Sequence, residues 1–194
     1  MDYKTDMFAA MGDDVKIWPE AKIVMPELIS IGNSVIIDDY VFLMGGTHTQ
    51  IGDFVHIGSH TSIAGGGEFI MGDFSGLSGG VRVYNGNEDY MGGCLTNPTV
   101  PFPYRVAKRS FVRVGKHAIV GANSVILPGV EIGEGAVVGA CSLVTKSCEP
   151  WTTYFGSPAK PLKKRKSSVI LELEKKLREE FYDAAGRYIP KSRR

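Results

Sequence analysis

The chain has 194 residues, 43% of them hydrophobic, and a formal net charge of +1. That length allows one domain and an appendage, and the near-neutral charge excludes a nucleic-acid surface spread over the whole protein. No apolar run approaches the ~20 residues of a membrane span, and the acidic early residues lack an apolar h-region, so neither a membrane anchor nor a signal peptide is expected. The 24 glycines exceed the usual share of roughly 7%, as a fold with many tight turns requires. Three cysteines (Cys94, Cys141, Cys148) are an odd number without metal-ligand spacing, which predicts reduced thiols in a cytoplasm, with Cys141 and Cys148 serving as packing residues.

The first sixteen residues carry no repeat and are expected to be a tail or cap, with a short helix over Asp6 to Gly12 or a cover for an open end. From Ile17 aliphatic residues recur every six positions: Ile17, Ile23, Ile31, Ile37, Leu43, Ile51, Ile57, Ile63 and Ile70. Small slips at Pro26-Glu27, Thr49-Gln50 and Phe69 fall after every third hexad. This spacing predicts three short strands per coil, a triangular prism with its insertions at one corner.

From Tyr84 to Phe111 the period disappears. Glycine pairs, three prolines, aromatics and a basic cluster mark an ordered loop, and a loop above ~15 residues in a compact domain is usually functional. The period then returns without interruption as VGKHAI, VGANSV, ILPGVE, IGEGAV, VGACSL and VTKSCE, from Val114 to Glu149. A helix would need a spacing of 3.6, so the reading is a β-solenoid with one aliphatic residue per strand pointing into a narrow core. After Pro150-Trp151 comes YFGSPAKPLKKRK, then a helix capped at Ser167 or Ser168 and running to about Tyr188. Its apolar face is read as Ile170, Leu173, Leu177 and Phe181. The predicted organisation is a cap over 1–16, a solenoid over 17–162 with its loop insertion at 84–111, and a basic helical segment over 163–194.

The hexads from Val114 and the GSPAK segment (Gly156 to Lys160) resemble the bacterial left-handed β-helix acyltransferases. The resemblance implies an all-β solenoid, a left-handed parallel β-helix of hexapeptide repeats with one long inserted loop and a C-terminal α-helix. It also implies acetyl-CoA as cosubstrate with no metal, and a homotrimer. Within the family, SGLSGGVRV, EDYMGG, LTNPTVP and CEPW are most similar to the small N-acetyltransferases of dTDP-4-amino-4,6-dideoxyglucose. These lack a separate nucleotide-binding domain and serve surface-polysaccharide (lipopolysaccharide O-antigen) synthesis.

The stretch from His48 through Ile51-Gly52-Asp53-Phe54 to His56 is similar to a motif of the nucleotide-amino-sugar N-acetyltransferases, though one residue shorter. There the first His is the general base and the second lies near the acetyl group, so His48 and His56 are the catalytic candidates. A neutral imidazole near its own pKa suits removal of the amine proton. Glu88 and Asp89 stand where O-acetyltransferases of the fold keep a loop His, and either carboxylate could take that proton or hold the substrate. His60, Asn85 and Tyr90 are the substrate-binding candidates, whereas His117 reads as structural. Gly121, Ala122, Gly139 and Ala140 would leave room for a pantetheine arm. Lys160, Lys163 and Lys164 would meet the coenzyme's phosphates.

The leading expectation is therefore acetyl transfer from acetyl-CoA to the amine of a nucleotide-linked sugar, without nucleic-acid or membrane partners. O-acetylation of a sugar or antibiotic hydroxyl is the rival, disfavoured by the absent loop His. A metal-dependent hydratase using His48, His56 and His60 is the second alternative.

Overall fold

The computed structural model describes residues 3–193, and Met1, Asp2 and Arg194 lie outside it. The chain winds as a parallel β-solenoid of about seven turns followed by one helix. Six turns contribute one short strand to each of three sheets, and the seventh adds a strand to the second sheet alone. The first sheet contains Ala10–Met11, Ile29–Ile31, His48–Ile51, Glu68–Met71, Phe111–Val114 and Val130–Ile132. The second contains Lys16–Ile17, Ile36–Ile37, His56–Ile57, Gly76–Leu77, Ile119–Val120, Val137–Val138 and Thr152–Phe155. Lys160–Lys164 adds to its edge antiparallel, with the GSPAK segment forming the turn. The third contains Lys22–Val24, Phe42–Met44, Ser62–Ala64, Arg82–Tyr84, Val125–Ile126 and Leu143–Val144.

The hexad pattern explains this geometry. The openers Ile31, Ile37, Leu43, Ile51, Ile57 and Ile63 are all buried, and the second inward position holds short side chains such as Val35, Val41, Ala118 and Ala136. The core is thus two residues wide per strand and stacks like with like from coil to coil. Ile29 pairs with Thr49, a coil of 20 residues, and Val112 pairs with Val130, a coil of 18. The extra residues all fall at the corner before the first sheet, at the turn Pro26–Leu28, at Gly45 to Thr47 and at Gly65 to Gly67. The loop leaves from the same corner.

Regular structure begins earlier than the sequence suggested. Ala10–Met11 already pairs with the second coil, ahead of Ile17, because Ala10 and Met11 align with Ser30 and Ile31. Thr5–Met7 forms one turn of 3-10 helix in place of a helix to Gly12. Phe8 is buried, and the Tyr3 hydroxyl accepts from Ile23 N at 2.7 Å, so this segment covers the first coil.

The C-terminal helix spans Ser168–Phe181 and stops seven residues before Tyr188. Tyr182 is extended, and the Asp183 carboxylate accepts N–H bonds from Ala185 and Arg187, which turns the chain back on itself. The helix lies along one corner of the prism rather than on an apolar core. That corner is a column of residues with positive φ, Phe54, Phe74, His117 and Trp151. A non-glycine residue costs energy in this conformation, and coil-to-coil ring stacking at 5.1 Å (Phe54–Phe74) and 5.2 Å (Phe74–His117) offsets it.

The helix faces this column with Ile170, Glu174, Leu177, Arg178 and Phe181, while Leu173, read as part of the apolar face, is 58% exposed. A corner of charged and aromatic groups selects a charged helix face. Glu174 is buried against Lys116 and His117, Arg178 reaches Asp73 at 2.6 Å, and the Tyr182 hydroxyl donates to Asp53 at 2.5 Å. Tyr188 then donates to Asp14 at 2.8 Å. Burial pushes the Glu174 carboxyl up, but bonds from Lys116, Arg178 and His117 outweigh it and hold the group at about 2. Fourteen residues rise about 21 Å, enough to cross four coils spaced at about 4.8 Å.

Candidate active site

The outward faces of the three sheets differ in character. The first is mainly polar, with His48, Gln50, Glu68, Arg113 and Glu131, and Glu68 pairs with Arg113 at 2.8 Å. The second presents Ile36, His56, Gly76, Ile119 and Val137. The third presents Phe42, Met44, Ala64, Tyr84, Val125 and Leu143. Apolar side chains at the surface of two faces leave hydrophobic area partly exposed among the described residues.

A groove of about 430 Å³ lies on the second face, lined by Asp38, His56, Gly58, Ser59, Gly76, Ser78 and Ile119 among others. Parallel stacking places Ile36 beside His56, and Asp38 follows that strand directly. The result is a contact of 3.0 Å between His56 Nε2 and Asp38 Oδ2. With Nε2–H donated to the carboxylate, Nδ1 carries the lone pair and can accept a proton.

A larger cleft of about 930 Å³ opens beside the third face, lined by Met44, Tyr84, Glu88, Tyr90, Arg105 and Leu127 among others. The loop that walls it is ordered by its own polar groups. Gly86–Asn87 pairs antiparallel with Lys108–Arg109. Asn85 is 1% exposed, and its amide accepts from Gly67 N at 3.1 Å and donates to Gly67 O at 3.0 Å. The Asp89 carboxylate accepts N–H bonds from Met91, Gly93 and Cys94, and these hold it below the usual carboxylate range. Arg105 Nε sits 2.9 Å from both Glu88 oxygens, and this bond first, then the guanidinium charge, lowers the Glu88 carboxyl.

The sequence-derived candidates therefore separate. His56 lies in the groove, and Glu88 and Tyr90 line the cleft. His48 is exposed on the polar first face and lines neither. Asn85, expected at the substrate, turns inward and spends both amide groups on the loop's own backbone. Asp89 is a cap for its loop. His60 stacks on Tyr40 with ring centroids 5.0 Å apart, and its carbonyl accepts from Arg82. His117 is a buried structural residue, as read.

Around the basic end, a Cβ at Gly121 would come 2.5 Å from Ala140 N, and one at Gly139 would come 2.5 Å from the Phe155 ring. Those glycines let coils stack. Ala122 is half-buried and Ala140 exposed beside them. Lys160, Lys163 and Lys164 are exposed on the edge strand, with Lys164 bonded to Glu149 and Thr152. Arg165 points elsewhere, donating to the carbonyls of His117 and Gly135. Cys141 is exposed at a corner, contrary to the packing role read for it, while Cys148 is buried and its thiol is pushed up to about 11.

Among the described residues no three His, Cys, Asp or Glu side chains gather as a metal site, so His48, His56 and His60 are not brought together within the chain. Asp38 and Arg105 are the residues that sequence reasoning missed. Both were hidden by register: Asp38 stands 18 residues before His56 in coils of 20, and Arg105 crosses the loop to reach Glu88.

Residues 111–146 match the family described as bacterial transferase hexapeptide (six repeats). The chain is 42% identical over 168 residues to the dTDP-4-amino-4,6-dideoxy-D-glucose acyltransferase of Escherichia coli, covering 86% of this chain and 87% of that protein. The chain belongs to the hexapeptide-repeat acyltransferases. AntD, an N-acyltransferase from Bacillus cereus, superposes with a TM-score of 0.83 at 39% identity in its complex with dTDP and 3-hydroxybutyryl-CoA, covering 90% of this chain and 92% of that one. A single-residue variant of AntD bound to dTDP-4-amino-4,6-dideoxyglucose and coenzyme A gives 0.84 at 39%, with the same coverage.

Proposed function

We propose that this enzyme transfers an acyl group from coenzyme A to the amine of a dTDP-linked 4-amino-4,6-dideoxy sugar, acting as a homotrimer in the cytoplasm. The observation that carries the reading is the pairing of a carboxylate-held imidazole in one groove with a separate polar and aromatic cleft on the adjacent face. The relatives act on, or bind, such a sugar and coenzyme A.

The apolar second and third faces support the trimer. Packing the second face of one copy on the third face of the next is a heterologous contact, and rotation about a three-fold axis closes it. Such a contact brings one copy's His56 groove against its neighbour's loop cleft. The site is then shared, which explains why no single chain assembles it. Sedimentation equilibrium giving a monomer at micromolar concentration would remove both the trimer and the shared site.

Acyl-coenzyme A would supply the thioester carbonyl as electrophile, and its C–S bond would break to release the coenzyme A thiolate. Lys160, Lys163 and Lys164 would hold its phosphates on an edge strand whose charges are already in solvent. Glu88 and Arg105 present an acceptor and a donor side by side, suited to sugar hydroxyls or the nucleotide, with Tyr84 and Tyr90 offering ring faces. His56 accepts the proton that the amine loses as it attacks, and Asp38 keeps the accepting nitrogen oriented. Glu88, held ionised by Arg105, is the weaker base, and His48 is outside both clefts. An amine is a better nucleophile than a hydroxyl, so one oriented imidazole suffices.

Thiol release from acetyl-CoA across dTDP- and UDP-linked amino sugars tests the reading. Release with a dTDP-4-amino sugar and product mass gain at its amine is expected. Release no faster than hydrolysis with every amino sugar would overturn it.

A further inference from the structure

Gly76 is a glycine that the fold does not require. It occupies an outward position in the second sheet, between His56 on one neighbouring strand and Ile119 on the other. The equivalent positions on the other coils hold Ile36, His56, Ile119 and Val137, so a full-sized side chain is the rule there. Its φ is not in the left-handed region, and a Cβ built on it would meet nothing nearer than the His56 carbonyl oxygen at 3.8 Å, an ordinary contact. The neighbouring Gly58 differs, since its Cβ would lie 2.7 Å from Gly79 N. Glycine in a strand interior loses entropy and packs nothing, so Gly76 weakens the sheet without a conformational return.

What the missing side chain creates is a notch. Two strand spacings, about 10 Å, separate the His56 and Ile119 strands, and the space between them has backbone as its floor. One wall is the imidazole that Asp38 orients, and the other is Ile119, 41% exposed and apolar. The notch is part of the groove that contains His56. An apolar wall gives a sugar hydroxyl nothing to bond and suits a hydrocarbon.

We infer that Gly76 sets the length of the acyl chain transferred: its notch receives the acyl carbons beyond the carbonyl while the carbonyl stays beside His56. The room left by one absent aliphatic side chain suits a short acyl chain. This rests on the acyl transfer proposed above and specifies its donor.

The test compares acetyl-CoA with butyryl-CoA in the wild type, Gly76→Ala and Gly76→Val, reading kcat/KM with a saturating dTDP-4-amino sugar. One methylene too many in an apolar pocket costs 10- to 200-fold. The butyryl-to-acetyl ratio should fall about tenfold or more in Gly76→Ala and further in Gly76→Val, with Tm no lower than wild type because the new atoms have room. An unchanged ratio would overturn the inference, as would dissociation of the oligomer by Gly76→Val, which would give the notch to a neighbouring copy. A wild type that turns over neither thioester counts against the acyl-transfer reading itself. Calorimetric binding of the two thioesters to the same three proteins then tests the notch without turnover, with the same ratio expected.

Discussion

His56 Nε2 and Asp38 Oδ2 stand 3.0 Å apart, although 18 residues separate them, because Asp38 follows the strand that stacks directly beside His56. His56→Ala should lower kcat by about 10² to 10⁴ if the imidazole takes the amine proton in the transition state. Asp38→Asn should cost less, roughly tenfold, with acetyl-CoA KM little altered, since it frees the ring to flip while leaving it in place. His48→Ala should change kcat by less than a few-fold. Steady-state kinetics on the three variants decide it, and a large loss at His48 with none at His56 would reverse the assignment.

The Glu88–Arg105 pair leads to a different signature. Arg105→Ala should raise the KM for the nucleotide sugar about tenfold or more, because it removes a bidentate donor and leaves a carboxylate in the cleft. The KM for acetyl-CoA should stay within about twofold. Product-inhibition constants for dTDP measured on the same variant locate the loss on the nucleotide or the sugar.

Glu174 predicts an acid limit to stability. Its carboxyl is held at about 2 in the folded chain, below the ordinary value of 4.5, because Lys116, Arg178 and His117 bond the carboxylate and outweigh the cost of burying it. Its contribution is present above about 4.5 and is lost as pH falls from there through about 2. The difference corresponds to roughly 3 kcal/mol at neutral pH. Thermal unfolding from pH 7 to pH 2 should show this loss, and Glu174→Gln should be less stable at pH 7 while showing a flatter profile. Equal slopes in both proteins would contradict the assignment.

On the edge strand, Lys160→Ala combined with Lys163→Ala should raise the KM for acetyl-CoA about tenfold and leave that for the amino sugar nearly unchanged. The effect should shrink at high salt, since both charges are exposed. Lys164 is the poorer choice because Glu149 and Thr152 already hold it.

Periodic features of the fold were readable in advance, and features set by contacts between coils were not. A six-residue recurrence names Ile31, Ile37 and Leu43 as core, because it marks one of the two inward positions of each strand. Asp38 and Arg105 escaped because their partners are set by which residues stack across coils and across the loop. Asn85 reads as a substrate-binding candidate, yet a short amide at a tight corner satisfies buried backbone more readily than it reaches a substrate. The helix misled for a related reason. Leu173 belongs to the apolar stripe, but the surface receiving the helix is a ladder of aromatic rings and carboxylates, so Glu174 and Arg178 are turned inward in its place.

The contact of Tyr188 with Asp14, joined by Lys191 N at 2.9 Å from the same carboxylate, links positions 174 and 177 residues apart. Stacked-coil proteins otherwise behave as one-dimensional arrays, each coil supported by its two neighbours, and their ends can fray independently. Here the segment that follows the helix latches back onto the first coil. The latched column therefore opens as one unit rather than peeling from its first coil.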